Sequence, residues 1–299
     1  MGADLLKADA FVRELVRWAS ERVGTDLERL CLRGPDRELT RTRNLQPLLV
    51  CVSLGYWRQL TERGVQPDVV LGHSLGEISA LAAAGIVSAE EAVDIAAQRG
   101  ALMDEAASTV QGGMLAVVSS ERERVLHWVA GEFPDDQLVL ANDNAPNQFV
   151  LSGERDALER TARFVADEKL GSCRKLPVSG PWHSPFLRQA QYQFGAWLVA
   201  LPFHPPCVPI LCNASATPEN DPATIRERVV NNLTGPVRWR QCMEWLKGHR
   251  AHPLLEVGPG RVLSGLARAN GFGDDARLVN VNNLHGVDHA AREVYSTPA

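Results

Sequence analysis

Apolar residues recur through the first part of the chain with the period of helices. From Asp9 to Val23, Phe11, Leu15, Trp18 and Ala19 share one face, which predicts an amphipathic helix. The stretch from Leu48 to Arg63, closed by Gly64, predicts a second. Asp68-Val69-Val70-Leu71 reads as a short buried strand running into a sharp turn at Gly72. Small and apolar residues from Leu75 to Ala84 suit a tightly packed helix ended by Gly85, and Ser88 reads as the N-cap of a helix through Arg99. Beyond Met114 the pattern changes to strand (Met114 to Val118), helix (Glu121 to Val129), strand (Leu138 to Ala141), strand (Gln148 to Ser152), helix (Arg155 to Lys169) and strand (Arg174 to Val178). That βαββαβ order is the arrangement of a ferredoxin-like unit, with Asn142-Asp143-Asn144-Ala145-Pro146-Asn147 as the turn between its middle strands. Leu187 to Leu201 and Pro222 to Leu233 then read as helices, and Val208 to Cys212 and Leu254 to Val257 as strands. These elements predict the α/β class: a large α/β-hydrolase-like domain formed by residues 1–112 and 180–299, with an inserted ferredoxin-like subdomain at 113–179.

A length of 299 residues suits one large domain carrying an insert as well as it suits two in tandem, and a hydrophobic fraction of 45% is enough for a sizeable core. The formal net charge of −5, from 31 basic and 36 acidic residues, supplies no general field for nucleic acid or an anionic membrane. The six cysteines are scattered without a CxxC pair, so neither a disulfide framework nor a metal site is expected. No charged-then-apolar leader and no uninterrupted apolar stretch of about 18 residues is present, so a cytoplasmic location is expected.

Gly72-His73-Ser74-Leu75-Gly76 matches GxSxG between an expected strand and an expected helix, the setting of a nucleophile elbow. There the Leu75 N–H is placed to hold an oxyanion. A helix-capping serine in a glycine turn would give the same string. A serine nucleophile needs a base, and histidine titrates near neutrality. Of the eight histidines, His127, His249, His252, His285 and His289 lie in polar, surface or terminal stretches, and packing accounts for His204 between Phe203 and Pro205. His183 differs. It stands in Ser179-Gly180-Pro181-Trp182-His183-Ser184-Pro185, a rigid loop leaving the insert, where a catalytic and a structural role are both open.

Gly72-His73-Ser74-Leu75-Gly76-Glu77, Gln98-Arg99-Gly100, Gly180-Pro181-Trp182-His183-Ser184 and Glu256-Val257-Gly258-Pro259-Gly260 occur in the order and spacing of malonyl-CoA:acyl-carrier-protein transacylases. The chain also resembles the acyltransferase domains of polyketide synthases. The likeness extends to Leu45-Gln46-Pro47 upstream and to Asn232-Leu233-Thr234-Gly235-Pro236-Val237-Arg238-Trp239 downstream. It implies Ser74 as nucleophile, His183 as general base, and Arg99 as the clamp on the free carboxylate of a malonyl group. His73, Gln46 and Trp182 are implied to line the substrate site, and the backbone carbonyl of Asn232 to orient His183. A guanidinium can hold a carboxylate through two parallel hydrogen bonds, which suits Arg99 to that part. Acyl-CoA and an acyl carrier protein are the implied partners; no cofactor, metal, nucleic acid or membrane is implied. By the same resemblance, Leu75 and the aromatic before His183 imply malonyl over methylmalonyl, although Trp182 is bulkier than the Phe usual in malonyl-selecting relatives and is equally readable as an aromatic packed beneath its loop.

One departure stands out. Relatives open with a strand bearing Phe-x-Gly-Gln-Gly-Ser-Gln, whose first Gln supplies a second oxyanion N–H; this sequence begins just beyond that place, and a truncated or misassigned start is the expectation. Three rival readings stay open: a thioester hydrolase with the same residues, a catalytically impaired carrier-binding homologue, and a lipase-type hydrolase. The last would supply an acid before the histidine and lack the βαββαβ insert.

Overall fold

A computed structural model describes residues 1–273 and 277–295. Two parallel strand pairs form its spine. β1 (Val70–Leu71) pairs with β6 (Ile210–Leu211), which continues antiparallel to β7 (Pro218–Glu219), while β8 (Leu254–Val257) pairs with β9 (Leu278–Val281). Side chains alternate across these strands. Val70, Ile210, Val279 and Val281 face one core with helices α2 (Ala10–Val23), α5 (Thr42–Glu62), α7 (Ala89–Thr109) and α14 (Leu284–Tyr295). Leu71, Leu211 and Leu278 face another with α12 (Trp239–Gly248) and α13 (Val262–Ala269). The result is a strand layer between two helical layers, α/β in class.

The span from 112 to 175 builds a separate four-stranded antiparallel sheet in the order β3-β4-β2-β5, from β2 (Gly112–Val118), β3 (Leu138–Ala145), β4 (Gln148–Glu154) and β5 (Ser172–Lys175). Helix α8 (Arg122–Glu132) joins β2 to β3, and α9 (Arg155–Asp167) joins β4 to β5. Each crosses over one intervening strand. Trp128 of α8 stacks on Phe164 of α9, with centroids 4.1 Å apart, so both helices cover the same face. Leu115, Val117, Phe149 and Leu151 point into that small core, whereas Met114 and Val150 point into the large one.

The expected elements are present with shifted ends. Helix α5 begins at Thr42, so Pro47 lies inside it, and β3 runs on through Ala145. The polar run Asn142-Asp143-Asn144, expected as a turn, is therefore buried strand. The Asn142 region bridges to Val237 and Asp143 pairs with Arg240 of α12 at 3.0 Å, which ties this sheet to the larger layers, while Arg122 of α8 pairs with the same Asp143 at 3.0 Å. Helix α7 does not stop near Arg99 but continues to Thr109 after a Ser88–Glu91 capping box. Gly100 is interior because of close packing: a Cβ there would lie 2.9 Å from the Thr42 carbonyl oxygen and 3.2 Å from Arg43 Cα of α5. Helices α1 (Ala3–Ala8), α3 (Leu27–Arg33), α4 (Asp36–Leu39), α12, α13 and α14 and strands β7 and β9 were not anticipated from the pattern.

Candidate active site

The chain leaves the C-terminal end of β1 at Leu71, turns through Gly72 and His73, and enters α6 (Gly76–Ala83). A side chain at Gly72 would collide with the backbone of Gly76, its Cβ 2.0 Å from that carbonyl carbon, so glycine is obligatory there. Gly76 has the opposite environment, with nothing within 4 Å of such a Cβ, so this face of the elbow is open. Ser74 itself holds φ 52°, a left-handed conformation that costs a non-glycine residue about 1–3 kcal/mol and persists only when its surroundings enforce it. The Leu75 N–H makes no hydrogen bond among the described residues, leaving a donor beside the serine.

His183 arrives from the loop between β5 and a single 3₁₀ turn (Pro185–Leu187), also at positive φ, 57°. Its Nδ1 lies 2.6 Å from the Asn232 carbonyl oxygen, so Nδ1 carries the proton and donates it there. Nε2 is thereby left to accept the Ser74 hydroxyl at 2.7 Å. The imidazole is 4% exposed. Burial first, then the neighbouring Arg99 charge, lower its pKa to about 3, against the pull of the Asn232 carbonyl. At neutral pH it is an uncharged base.

Arg99 reaches the same point from mid-α7. Its Nη2 donates to Ser74 Oγ at 3.2 Å and its Nη1 to Gln46 Oε1 at 2.8 Å. Gln46 in turn donates from Nε2 to Met103 Sδ at 3.2 Å. The close approach of α5 and α7 at Gly100 brings Gln46 to Arg99. Burial lowers the guanidinium pKa to about 10, partly offset by the buried Glu77 carboxyl, so Arg99 keeps its charge at neutral pH. Only 3% of Arg99 is exposed, and no carboxylate forms a salt bridge with it among the described residues.

The remaining expected residues fall around this core. His73 bonds through Nε2 to Asn144 Oδ1 at 2.8 Å and packs against Trp239, with ring centroids 5.2 Å apart. Trp182 is buried, its six-membered ring folded against Gly180 and its backbone N–H donated to the Gly180 carbonyl. Three residues here were not singled out as site residues from sequence: Asn144, Glu77 and Asn213. Asn213 follows β6 and bonds directly to the elbow, accepting the Ser74 N–H on Oδ1 at 2.8 Å. Of the other histidines, His249 stacks on Trp245 at 3.8 Å, away from the serine. No group of three His, Cys, Asp or Glu among the described residues is arranged to hold a metal ion. No helix among them is long and apolar enough to cross a membrane.

A strained serine backed by a neutral histidine at the ends of parallel strands is the equipment of acyl transfer. The profile of the acyl transferase domain matches residues 1–265, and the chain belongs to that family; it is an acyltransferase. Among curated proteins it is 34% identical over 270 residues to the malonyl CoA-acyl carrier protein transacylase of Salmonella typhimurium, covering 90% of this chain and 87% of that one. It is 35% identical over 284 residues to the protein of the same name from Synechocystis, covering 95% and 92%. Among solved structures, the malonyl-CoA:acyl carrier protein transacylase of Xanthomonas oryzae superposes with a TM-score of 0.91 at 34% identity, covering 98% of this chain and 93% of that one. A malonyl-transacylase in complex with its type II PKS acyl-carrier protein superposes with a TM-score of 0.90 at 31% identity, covering 98% and 94%.

Proposed function

We propose that the chain transfers malonyl from coenzyme A to the phosphopantetheine thiol of an acyl carrier protein, through an ester on Ser74. The observation that carries the reading is the buried, charged Arg99 at 3.2 Å from the nucleophile, near the Glu77 carboxyl but in salt-bridge contact with no carboxylate among the described residues, which leaves its guanidinium for an acyl group that brings one. His183 Nε2 takes the Ser74 proton as Oγ attacks the thioester carbonyl, and the Leu75 N–H receives the developing oxyanion. The C–S bond breaks, the imidazolium returns its proton to the departing thiolate, and CoA leaves. The carrier thiol then gives its proton to His183 and attacks the ester, and Ser74 Oγ recovers a proton as it is released.

Gln46 serves substrate binding through its hold on Arg99, His73 and Trp182 border the acyl site, and the Asn232 carbonyl orients the base. The chemistry requires no cofactor. For the fold, the strand order and interleaved crossovers support a ferredoxin-like subdomain at 113–179 set into an α/β-hydrolase-like domain of residues 1–112 and 180–299. A cytoplasmic location accords with an acyl-CoA donor. Of the basic residues that could meet an acidic carrier, Lys175 is paired with Glu159 and Arg240 with Asp143 and Glu244; Arg174, Arg188 and Arg238 enter no salt bridge among the described residues and are the better candidates. The test is malonyl transfer from malonyl-CoA to a holo-carrier, with free malonate measured in parallel. Stoichiometric carrier loading is expected. Release of malonate with no loading would make the chain a hydrolase.

A further inference from the structure

The β1–β6 ladder ends at the pair Leu71 and Leu211. Just beyond it, the side chain of Asn213 takes over the pairing that a backbone would have made. Oδ1 accepts the Ser74 N–H at 2.8 Å, and Nδ2 donates to the Gly72 carbonyl at 2.6 Å. One primary amide thus grips the elbow on both sides of His73. Glu77, in the first turn of α6, holds the gripping residue in place: Oε1 accepts the Asn213 backbone N–H at 2.7 Å and its Nδ2 at 3.3 Å. Facing a carbonyl and a carboxyl, the amide can present only its NH₂ group there, which fixes Oδ1 toward Ser74. Asn213 is completely buried and Glu77 is 1% exposed, so water cannot substitute for these bonds. Burial pushes the Glu77 carboxyl up to about 7, against the opposing pull of Asn213 and Arg99. In either protonation state it keeps an oxygen to accept from Asn213.

We propose that Asn213, locked by Glu77, is a positioning residue that holds Ser74 in its left-handed reactive conformation and so sets the rate of acyl-enzyme formation. It touches neither the acyl group nor the base. Without it, Ser74 relaxes toward ordinary φ, Oγ leaves His183, and the Leu75 N–H turns away from the developing oxyanion. Affinity for the thioester, which rests on Arg99 and remote contacts, is untouched. The effect on malonyl transfer rests on the reading above; the effect on Ser74 reactivity does not.

The experiment follows Ser74 in the full chain by intact-protein mass spectrometry, once with malonyl-CoA and once with phenylmethylsulfonyl fluoride, after circular dichroism has established that each variant is folded. Asn213→Ala is expected to slow both reactions about 100-fold, the scale of a misplacement of about 1 Å, with KM for malonyl-CoA changed less than about threefold. Glu77→Gln, which keeps the acceptor oxygen, is expected to stay within about threefold of wild type, whereas Glu77→Ala is expected to slow both reactions. Asn213→Asp supplies a readout that a merely structural role would not move. Its carboxylate cannot donate to the Gly72 carbonyl but its acid form can, so sulfonylation is expected to rise as pH falls, opposite to a reaction limited by an imidazole base. Wild-type sulfonylation rates in folded Asn213→Ala, or a loss of malonylation through KM alone, would overturn the proposal. If Asn213→Ala does not fold, a wild-type pH profile in Asn213→Asp would overturn it. Should the wild type take the sulfonyl group but no malonyl, the malonyl reading fails, and Asn213 stands or falls on the sulfonylation rates.

Discussion

Replacing Arg99 with lysine separates charge from geometry at the acyl site. The native guanidinium spans Gln46 Oε1 at 2.8 Å and Ser74 Oγ at 3.2 Å. A lysine keeps the positive charge but cannot offer two parallel donors to a carboxylate and cannot also reach Gln46. One charge-assisted hydrogen bond is lost, about 1.5–3 kcal/mol, and the buried Gln46 oxygen is left unpaired for about 1–3 kcal/mol more. Part of the second cost falls on the free enzyme and cancels from the rate. A net loss of about 3 kcal/mol in transition-state binding corresponds to about a 100-fold fall in kcat/KM for malonyl-CoA. Acetyl-CoA has no carboxylate to lose, so its kcat/KM should change by less than about fivefold, and the preference for malonyl should collapse. The assay is Ser74 ester formation from each thioester, followed by mass spectrometry over a range of concentrations. An equal fall for both substrates would refute the carboxylate role and make Arg99 an adjunct of Ser74. An unchanged malonyl value would refute any role in binding.

Arg99 also bears on the base, because its charge is the second cause, after burial, of the lowered His183 pKa. The acid limb of wild-type sulfonylation at Ser74 should therefore lie well below the ordinary imidazole range, and Arg99→Ala should move it to higher pH; a limb that stays in place on removal of Arg99 would contradict that coupling. Asn232 meets His183 through its backbone carbonyl, so Asn232→Ala should retain activity within about threefold in the transfer assay, and a larger loss in folded protein would implicate the amide side chain. Gly72→Ala should fail to fold, or unfold at far lower temperature, because its methyl meets Gly76 backbone at 2.0 Å. Gly76→Ala should fold with thermal stability near wild type, since its methyl enters open space, while slowing acylation on the face where substrate approaches.

The elbow was legible because each of its constraints is local: a strand, a glycine that the next turn requires, and a serine at the start of a small-residue helix. His183 was marked by the abrupt loop around Pro181 and Pro185, although its meeting with Ser74 across 109 positions is a property of the fold and of the resemblance. Arg99 was legible only through the family pattern. The helix expected to run through Arg99 continues past Gly100 because packing against Thr42 and Arg43 of α5 outweighs the propensity cost of one interior glycine, about 1 kcal/mol. The helix expected from Leu48 begins instead at Thr42, since the loss of a single backbone donor at Pro47 does not end a helix so well packed on α7. Asn142-Asp143-Asn144 looked like a turn by composition. Its polar groups are instead spent on Val237, on the two arginines and on His73, partners fixed by tertiary structure. Asn213 had no local signal at all: its function as a brace exists only because β6 pairs with β1.

The most direct measurement is the intact mass of the protein after incubation with malonyl-CoA, for wild type and Ser74→Ala, before and after addition of a holo-carrier. A single malonyl adduct on the wild type, absent from the variant and discharged onto the carrier, is the expected result. An adduct that survives Ser74→Ala, or a wild type that never acquires one while its serine still takes a sulfonyl group, would contradict acyl transfer through Ser74.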